Sequence, residues 1–219
     1  MTNVQLLRVR PEELDAVVAE VRERIRDEGH RRTRWWIAEP LDAELGPRLE
    51  RAGIVPAGDE PVLAAMALAE APPPGPPEVE ARPAGSLAEY RTGVEIEVEA
   101  FALDAALHEE IRAATARRYE EEHLSGQAPR FVALLDGEPV ATALAITADR
   151  GLFLVSGATR ETARGRGAYR ALVRARWDFA AQRGTPGLVV TAGRHSRPIL
   201  ERLGFETVAR LRRYDDPTM

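Results

Sequence analysis

Residues 151–184, GLFLVSGATRETARGRGAYRALVRARWDFAAQRG, constrain the fold more tightly than any other stretch of the chain. Gly151 to Thr159 is apolar and β-rich and reads as a strand. Leu172, Ala175 and Phe179 recur at helical spacing and read as one face of a helix, with Arg170, Arg174 and Asp178 on another. Between strand and helix stand Arg164, Gly165, Arg166 and Gly167, where glycine lets the backbone turn sharply. A strand, a glycine loop and a helix in succession require a sheet with helical cover. They also bring orphan amide N–H groups to the positive end of a helix dipole, which suits a phosphate, and arginine adds charge-assisted contacts. A dinucleotide-binding loop needs a third glycine, and after Gly165 and Gly167 that position holds Arg170.

The flanking segments agree with a mixed sheet. RFVALLDGEPVATALAIT carries Asp136-Gly137 between two β-rich runs, a hairpin signal, and GLFLVSGAT supplies a third strand. Upstream, two helices are expected over Leu87–Phe101 and Ala105–His123, the second capped by Asp104. Downstream come a strand at Leu188–Thr191, a short helix at Ser196–Leu203 closed by Gly204, and a last strand from Phe205. The proline-rich stretch 71–85 reads as a linker that overlaps the first strand of the following domain. Before it, residues 1–70 read helix, strand, helix, strand, with Trp35-Trp36 at the head of the first strand, one ring per face.

An internal echo links the two parts. Pro47-Arg48-Leu49-Glu50-Arg51-Ala52-Gly53-Ile54 aligns without gaps on Pro198-Ile199-Leu200-Glu201-Arg202-Leu203-Gly204-Phe205. At the same offset Trp36-Ile37-Ala38 falls on Gly187-Leu188-Val189. Two amphipathic helices ending in glycine can match by chance, but the order of elements favours a partial duplication, one that lacks any counterpart of the glycine loop.

Composition removes several chemistries. The net charge of −5 over 219 residues argues against a polyanion partner despite the three arginines beside the glycines, so no nucleic-acid binding is expected. All 30 basic residues are arginine, which excludes a lysine Schiff base and a P-loop lysine. Without cysteine there is no thiol nucleophile or thiolate metal site, and four scattered histidines show no ligand spacing, so no metal is expected. No apolar run approaches the ~20 residues that span a bilayer, and no signal peptide is visible, so a cytoplasmic protein without a membrane partner is expected.

Arg164-Gly165-Arg166-Gly167-Ala168-Tyr169 matches the pattern Gln/Arg-x-x-Gly-x-Gly/Ala at every signature position but the last, and SRPILERLGFETVARL follows about thirty residues later. From about Glu78 to Tyr214 the chain resembles the GNAT superfamily of acyl-CoA-dependent N-acyltransferases, which carries both landmarks in that order. The resemblance implies a mixed, mostly antiparallel twisted sheet with helices on both faces over 78–219, preceded by a smaller, partial GNAT-like α/β unit over 1–70. It implies acetyl-CoA or another acyl-CoA as co-substrate, its pyrophosphate on the amides of Arg164, Gly165, Arg166, Gly167, Ala168 and Tyr169. The pantetheine arm would pair with Gly157, Ala158 and Thr159. The implied reaction is direct attack of a primary amine of a small molecule or peptide on the thioester; a homodimer is the other partner considered.

Two positions depart from the family. Tyr169 stands where glycine or alanine is usual, so its ring must turn away from the phosphates. Leu200 stands where many members carry a tyrosine that protonates the departing thiolate, and Gly193 replaces an asparagine seven residues earlier. No catalytic acid or base is therefore assigned. Glu95, Glu97, Glu99, Glu120, Glu121 and Glu122 lie in helices that, by the resemblance, border the acceptor site, and are read first as solvated charges. His195 and Ser196 are polar residues at a helix start. The alternative to an enzyme is a GNAT-like domain that binds acyl-CoA without turnover, as a sensor or scaffold.

Overall fold

In a computed structural model of the chain, residues 2–4, 9–29, 32–39, 44–58, 60–102 and 105–217 are described. Asp104, the expected cap, lies outside them. Backbone contacts divide the chain into two units, one of Met1–Met66, Thr191–Ile199 and Thr207–Met219, the other of Ala67–Val190 and Leu200–Glu206.

In the first unit, β1 (Thr2–Val4) runs parallel to β2 (Thr33–Glu39), and β2 pairs antiparallel with β10 (Glu206–Asp216). β3 (Val55–Pro56) also pairs with β10, and β4 (Val62–Leu68) neighbours it. Period-two alternation in TRWWIAE turns Thr33, Trp35 and Ile37 inward. Trp36 faces the other way, beneath the Arg213 guanidinium at 5.9 Å. Trp35 and Ile37 meet Leu14 and Val18 of α1 (Leu14–Asp27), Leu45 and Leu49 of α2 (Leu45–Arg51), Ile54 and Tyr214 in one core. Tyr214 needs Gly46, because a Cβ there would clash with its hydroxyl. Arg22 closes the edge, donating from Nε and Nη2 to the buried Asp216 at 2.8 and 3.0 Å.

The second unit holds β5 (Val79–Pro83), α3 (Leu87–Phe101), α4 (Ala105–Arg118), β6 (Arg130–Leu135), β7 (Glu138–Ala148), β8 (Gly151–Thr159), α5 (Ala168–Gln182) and, as far as Val190, β9 (Leu188–Ala192). Strands β5 to β8 are antiparallel neighbours in chain order, and β9 joins β8 in parallel. This is the expected mixed, mostly antiparallel sheet. Asp136 and Gly137 are both left-handed, at φ 54° and 82°, as a two-residue hairpin turn requires. Every residue of β6 is buried, for helices cover both faces. Val132 and Leu134 pack with Tyr90, Val94 and Val98 of α3, while Phe131 meets Phe179 of α5 edge-to-face. The helix expected to reach His123 ends at Arg118, and Tyr119–His123 follow as a π-helical turn.

The proline-rich stretch lies along α5. Arg174 donates to the Pro72 carbonyl at 3.0 Å, Gly75 touches Ala171, and Pro76 sits where a Cβ on Gly167 would be. The short helices α2 and α6 (Arg197–Arg202) close identically. Ile54 N–H reaches the Leu49 carbonyl and Gly53 N–H that of Glu50; Phe205 and Gly204 do the same to Leu200 and Glu201. Both glycines are left-handed, at φ 81° and 93°. Among the described residues no helix is long and apolar enough to cross a membrane.

Candidate donor site on strand β8 and helix α5

The signature loop joins a bulged strand to a helix start. Opposite β7, Leu144 pairs with Val155 and Thr142 with Ala158, so β8 carries one residue more than its partner between these points. Ser156 absorbs it in the left-handed region at φ 51°. Among the described residues, β8 pairs on its other edge with β9 only from Leu152 to Leu154. Gly157, Ala158 and Thr159 therefore leave that edge of the strand open, where an amide-bearing chain can add hydrogen bonds.

After a 3-10 turn at Glu161–Ala163, Gly165 and Gly167 are both left-handed, at φ 79° and 78°, and Gly167 is the residue before α5. Arg164 and Arg166 donate their N–H groups back to Glu161 and Ala163. Those of Gly165, Gly167, Ala168 and Tyr169 have no acceptor among the described residues. Four unclaimed donors at the start of a fifteen-residue helix fit a pyrophosphate in number and sign. Arg164, Arg166 and Arg170 are exposed around them; Arg164 has only a loose 3.9 Å pair with Glu161.

Tyr169 resolves the departure in the signature. Its ring lies against Gly157, and a Cβ on that glycine would be 2.9 Å from Cε2. The bulk that the helix gained at Tyr169 is thus accommodated by the side chain that β8 lacks. The phenol faces Arg176, which is 1 % exposed. Arg176 occupies the apolar stripe of α5 with Leu172, Val173, Trp177 and Ala180. Burial pushes its pKa down from the usual arginine range, and the neighbouring Tyr169 opposes that shift.

Of the six helix carboxylates singled out above, four are engaged by a basic partner. Glu97, turned toward the sheet, meets the buried Arg130 at 2.8 Å; Arg130 also donates to Thr142 Oγ1 and lies over the Tyr90 ring. Glu99 is 3.6 Å from Arg160, just past β8. Glu95 accepts two bonds from Arg112, which holds its carboxyl below the ordinary range, and one of its oxygens is 3.1 Å from His108. Glu121 pairs with Arg117, and Glu120 to Glu122 lie on the π-helical turn. A cavity of about 270 Å³ between α3 and α4 is lined by Arg91, Val94, Glu95, Arg112 and Thr115, none of them in the signature loop. His123 is a clamp. Its Nδ1 accepts from Arg130 N–H at 3.0 Å, so Nε2 carries the proton and donates to the Ala84 carbonyl at 2.8 Å. Leu200 is fully buried, His195 is exposed beside Arg194, and the Ser196 hydroxyl bonds to the Gly193 carbonyl.

The acetyltransferase (GNAT) family model matches residues 95–205, which include the bulged strand, the loop and the closing Gly-Phe. The chain belongs to that family. Its general chemistry is acyl transfer from acyl-CoA. Solved GNAT structures share the fold: a GCN5-related N-acetyltransferase from Kribbella flavida has a TM-score of 0.72 and 21% identity over 95% of this chain and 77% of its own. One from Sphaerobacter thermophilus has 0.70 and 21%, over 94% and 69%. A tandem GNAT protein from the clavulanic acid biosynthesis pathway has 0.66 and 19%, over 98% and 74%. No curated protein matches.

Sequence reasoning did not find the bulge at Ser156, the Gly157–Tyr169 contact or the buried Arg176. A signal for Arg176 was present: it stands four residues after Leu172, on the apolar face.

Proposed function

We propose that the protein transfers an acetyl group from acetyl-CoA to a primary amine of a small molecule or peptide. The observation that carries this reading is the set of unclaimed amides at Gly165, Gly167, Ala168 and Tyr169, next to the open edge of β8 at Gly157–Thr159. The amides would hold the pyrophosphate and the strand edge the pantetheine arm, which fixes the thioester relative to the bulge. The amine attacks in its neutral form, the carbonyl π electrons move to oxygen, the nitrogen gives up its extra proton to water, and collapse expels the thiolate, which takes a proton from water. No covalent enzyme intermediate is needed.

Acetyl-CoA at about 100 times its dissociation constant should add about 2.7 kcal/mol of apparent stability in a thermal-shift series. S-acetylpantetheine, which lacks the pyrophosphate, should bind at least about a hundredfold more weakly, the loss of a few charge-assisted hydrogen bonds. Equal affinity for the two would refute the amide cradle. Release of free CoA across a panel of amines then tests turnover. The full burial of Leu200 favours a second reading, an acyl-CoA-binding protein without turnover. Binding with no CoA release from any amine would select it.

A further inference from the structure

Arg176 is a cation in the wrong place for a purely structural residue. Its neighbours on the buried stripe of α5 are apolar, it has no carboxylate partner among the described residues, and its Nη2 has no hydrogen-bond partner. A buried unpaired charge opposes folding, and an apolar side chain of similar length would fill the same space without that cost.

Its position follows from three contacts. Nε donates to the Leu172 carbonyl one turn back at 3.0 Å, so the side chain runs toward the start of α5. Nη1 points to the Leu144 carbonyl at 3.4 Å, and Leu144 is the β7 partner of Val155. On the other side the Tyr169 phenol faces the guanidinium while the Tyr169 ring touches Gly157. Val155 and Gly157 flank Ser156, so the cation lies behind the bulge in the donor strand. A bulge leaves one residue out of the ladder, and its peptide groups are free for a carbonyl oxygen of a bound acyl donor.

We propose that Arg176 is a positioning residue for acyl transfer: acting through Leu144 and Tyr169, it holds the Val155–Gly157 bulge in shape and favours the negative charge that develops on the thioester oxygen. This rests on the acyl-transfer reading above. When the amine nitrogen bonds to the thioester carbon, the carbonyl π electrons become a lone pair on oxygen. A fixed positive charge behind the strand lowers the energy of that state more than of the neutral thioester. The nitrogen loses its extra proton to water, the charge returns to sulfur as the C–S bond breaks, and the thiolate takes a proton from solvent.

The test compares the full-length protein with Arg176→Met, Arg176→Lys and Tyr169→Phe, using acetyl-CoA and an amine that the wild type acetylates. Arg176→Met should lower kcat at least tenfold, leave the acetyl-CoA dissociation constant within threefold by calorimetry, and keep or raise the melting temperature. Arg176→Lys, which keeps the charge, should recover part of kcat, and Tyr169→Phe should lower it by less than Arg176→Met. The infrared carbonyl stretch of bound isotope-labelled acetyl-CoA should move to higher frequency in Arg176→Met, as a structural role alone would not require. A kcat within twofold of wild type overturns the proposal. So does a Met variant that fails to fold, or one that loses stability, affinity and turnover together with the carbonyl stretch unchanged. A wild type that binds acetyl-CoA and turns over no amine overturns the acyl-transfer reading itself, before any variant is compared.

Discussion

At the residue scale, the site is a set of exchanges between neighbours. Tyr169 takes a position where glycine or alanine is usual in the family signature, and Gly157 across the gap has no side chain to meet it. Gly157→Ala should therefore act on Tyr169 rather than on the strand, whose backbone there is in an ordinary region. Overpacking of this kind costs about 1–3 kcal/mol. We expect at least a tenfold loss of acetyl-CoA affinity in Gly157→Ala and its recovery in the double variant with Tyr169→Ala, measured by calorimetry. The loop glycines and arginines were legible because glycine and charge are visible in one dimension. The compensation was not, since Gly157 and Tyr169 are twelve positions apart and meet only when α5 folds back on β8.

At the element scale, the same helix ending occurs twice. α2 and α6 both stop at a left-handed glycine and return two amides to their own carbonyls. The sequence echo predicts this, because a glycine after an amphipathic run is a local instruction for a C-terminal cap. The surroundings differ. Beyond its chain neighbours, no atom of the described residues lies within 4 Å of a Cβ placed on Gly53, whereas on Gly204 it would be 3.3 Å from Leu68 Cδ1. Gly53→Ala should cost about 1 kcal/mol, the left-handed backbone term alone. Gly204→Ala should cost more by the displacement of Leu68. Urea denaturation of the two variants, compared at equal slope, checks the order.

At the scale of the whole molecule, pH dependence should show two windows. His123 is buried, and burial, aided by the nearby Arg130, pushes its pKa below the ordinary value near 6.5, against the pull of its bond to Ala84. As the pH falls through 6.5 the unfolded chain takes up this proton before the native one, so stability declines there. His123→Phe should flatten that part of the curve. Glu89, in the first turn of α3 after the Ser86 cap, accepts a bidentate pair from Arg82 of β5, at 2.7 Å each, which together with Gly85 N–H holds its pKa down to about 2. Its contribution is complete above about pH 4.5 and is lost from there toward pH 2, a step that Glu89→Gln should remove. Denaturation midpoints from pH 8 to pH 3 separate the two. The sequence by itself determined the succession of strands and helices, the hairpin at Asp136-Gly137 and the glycine turn before α5, because each rests on local periodicity or on a residue that prefers a special backbone. Only the tertiary structure decided that β8 is bulged, that Glu97 is tied to Arg130, and that Arg176 is buried on α5 within reach of the Leu144 carbonyl of β7. Pairing register and burial are relations between distant segments, and no single segment encodes them.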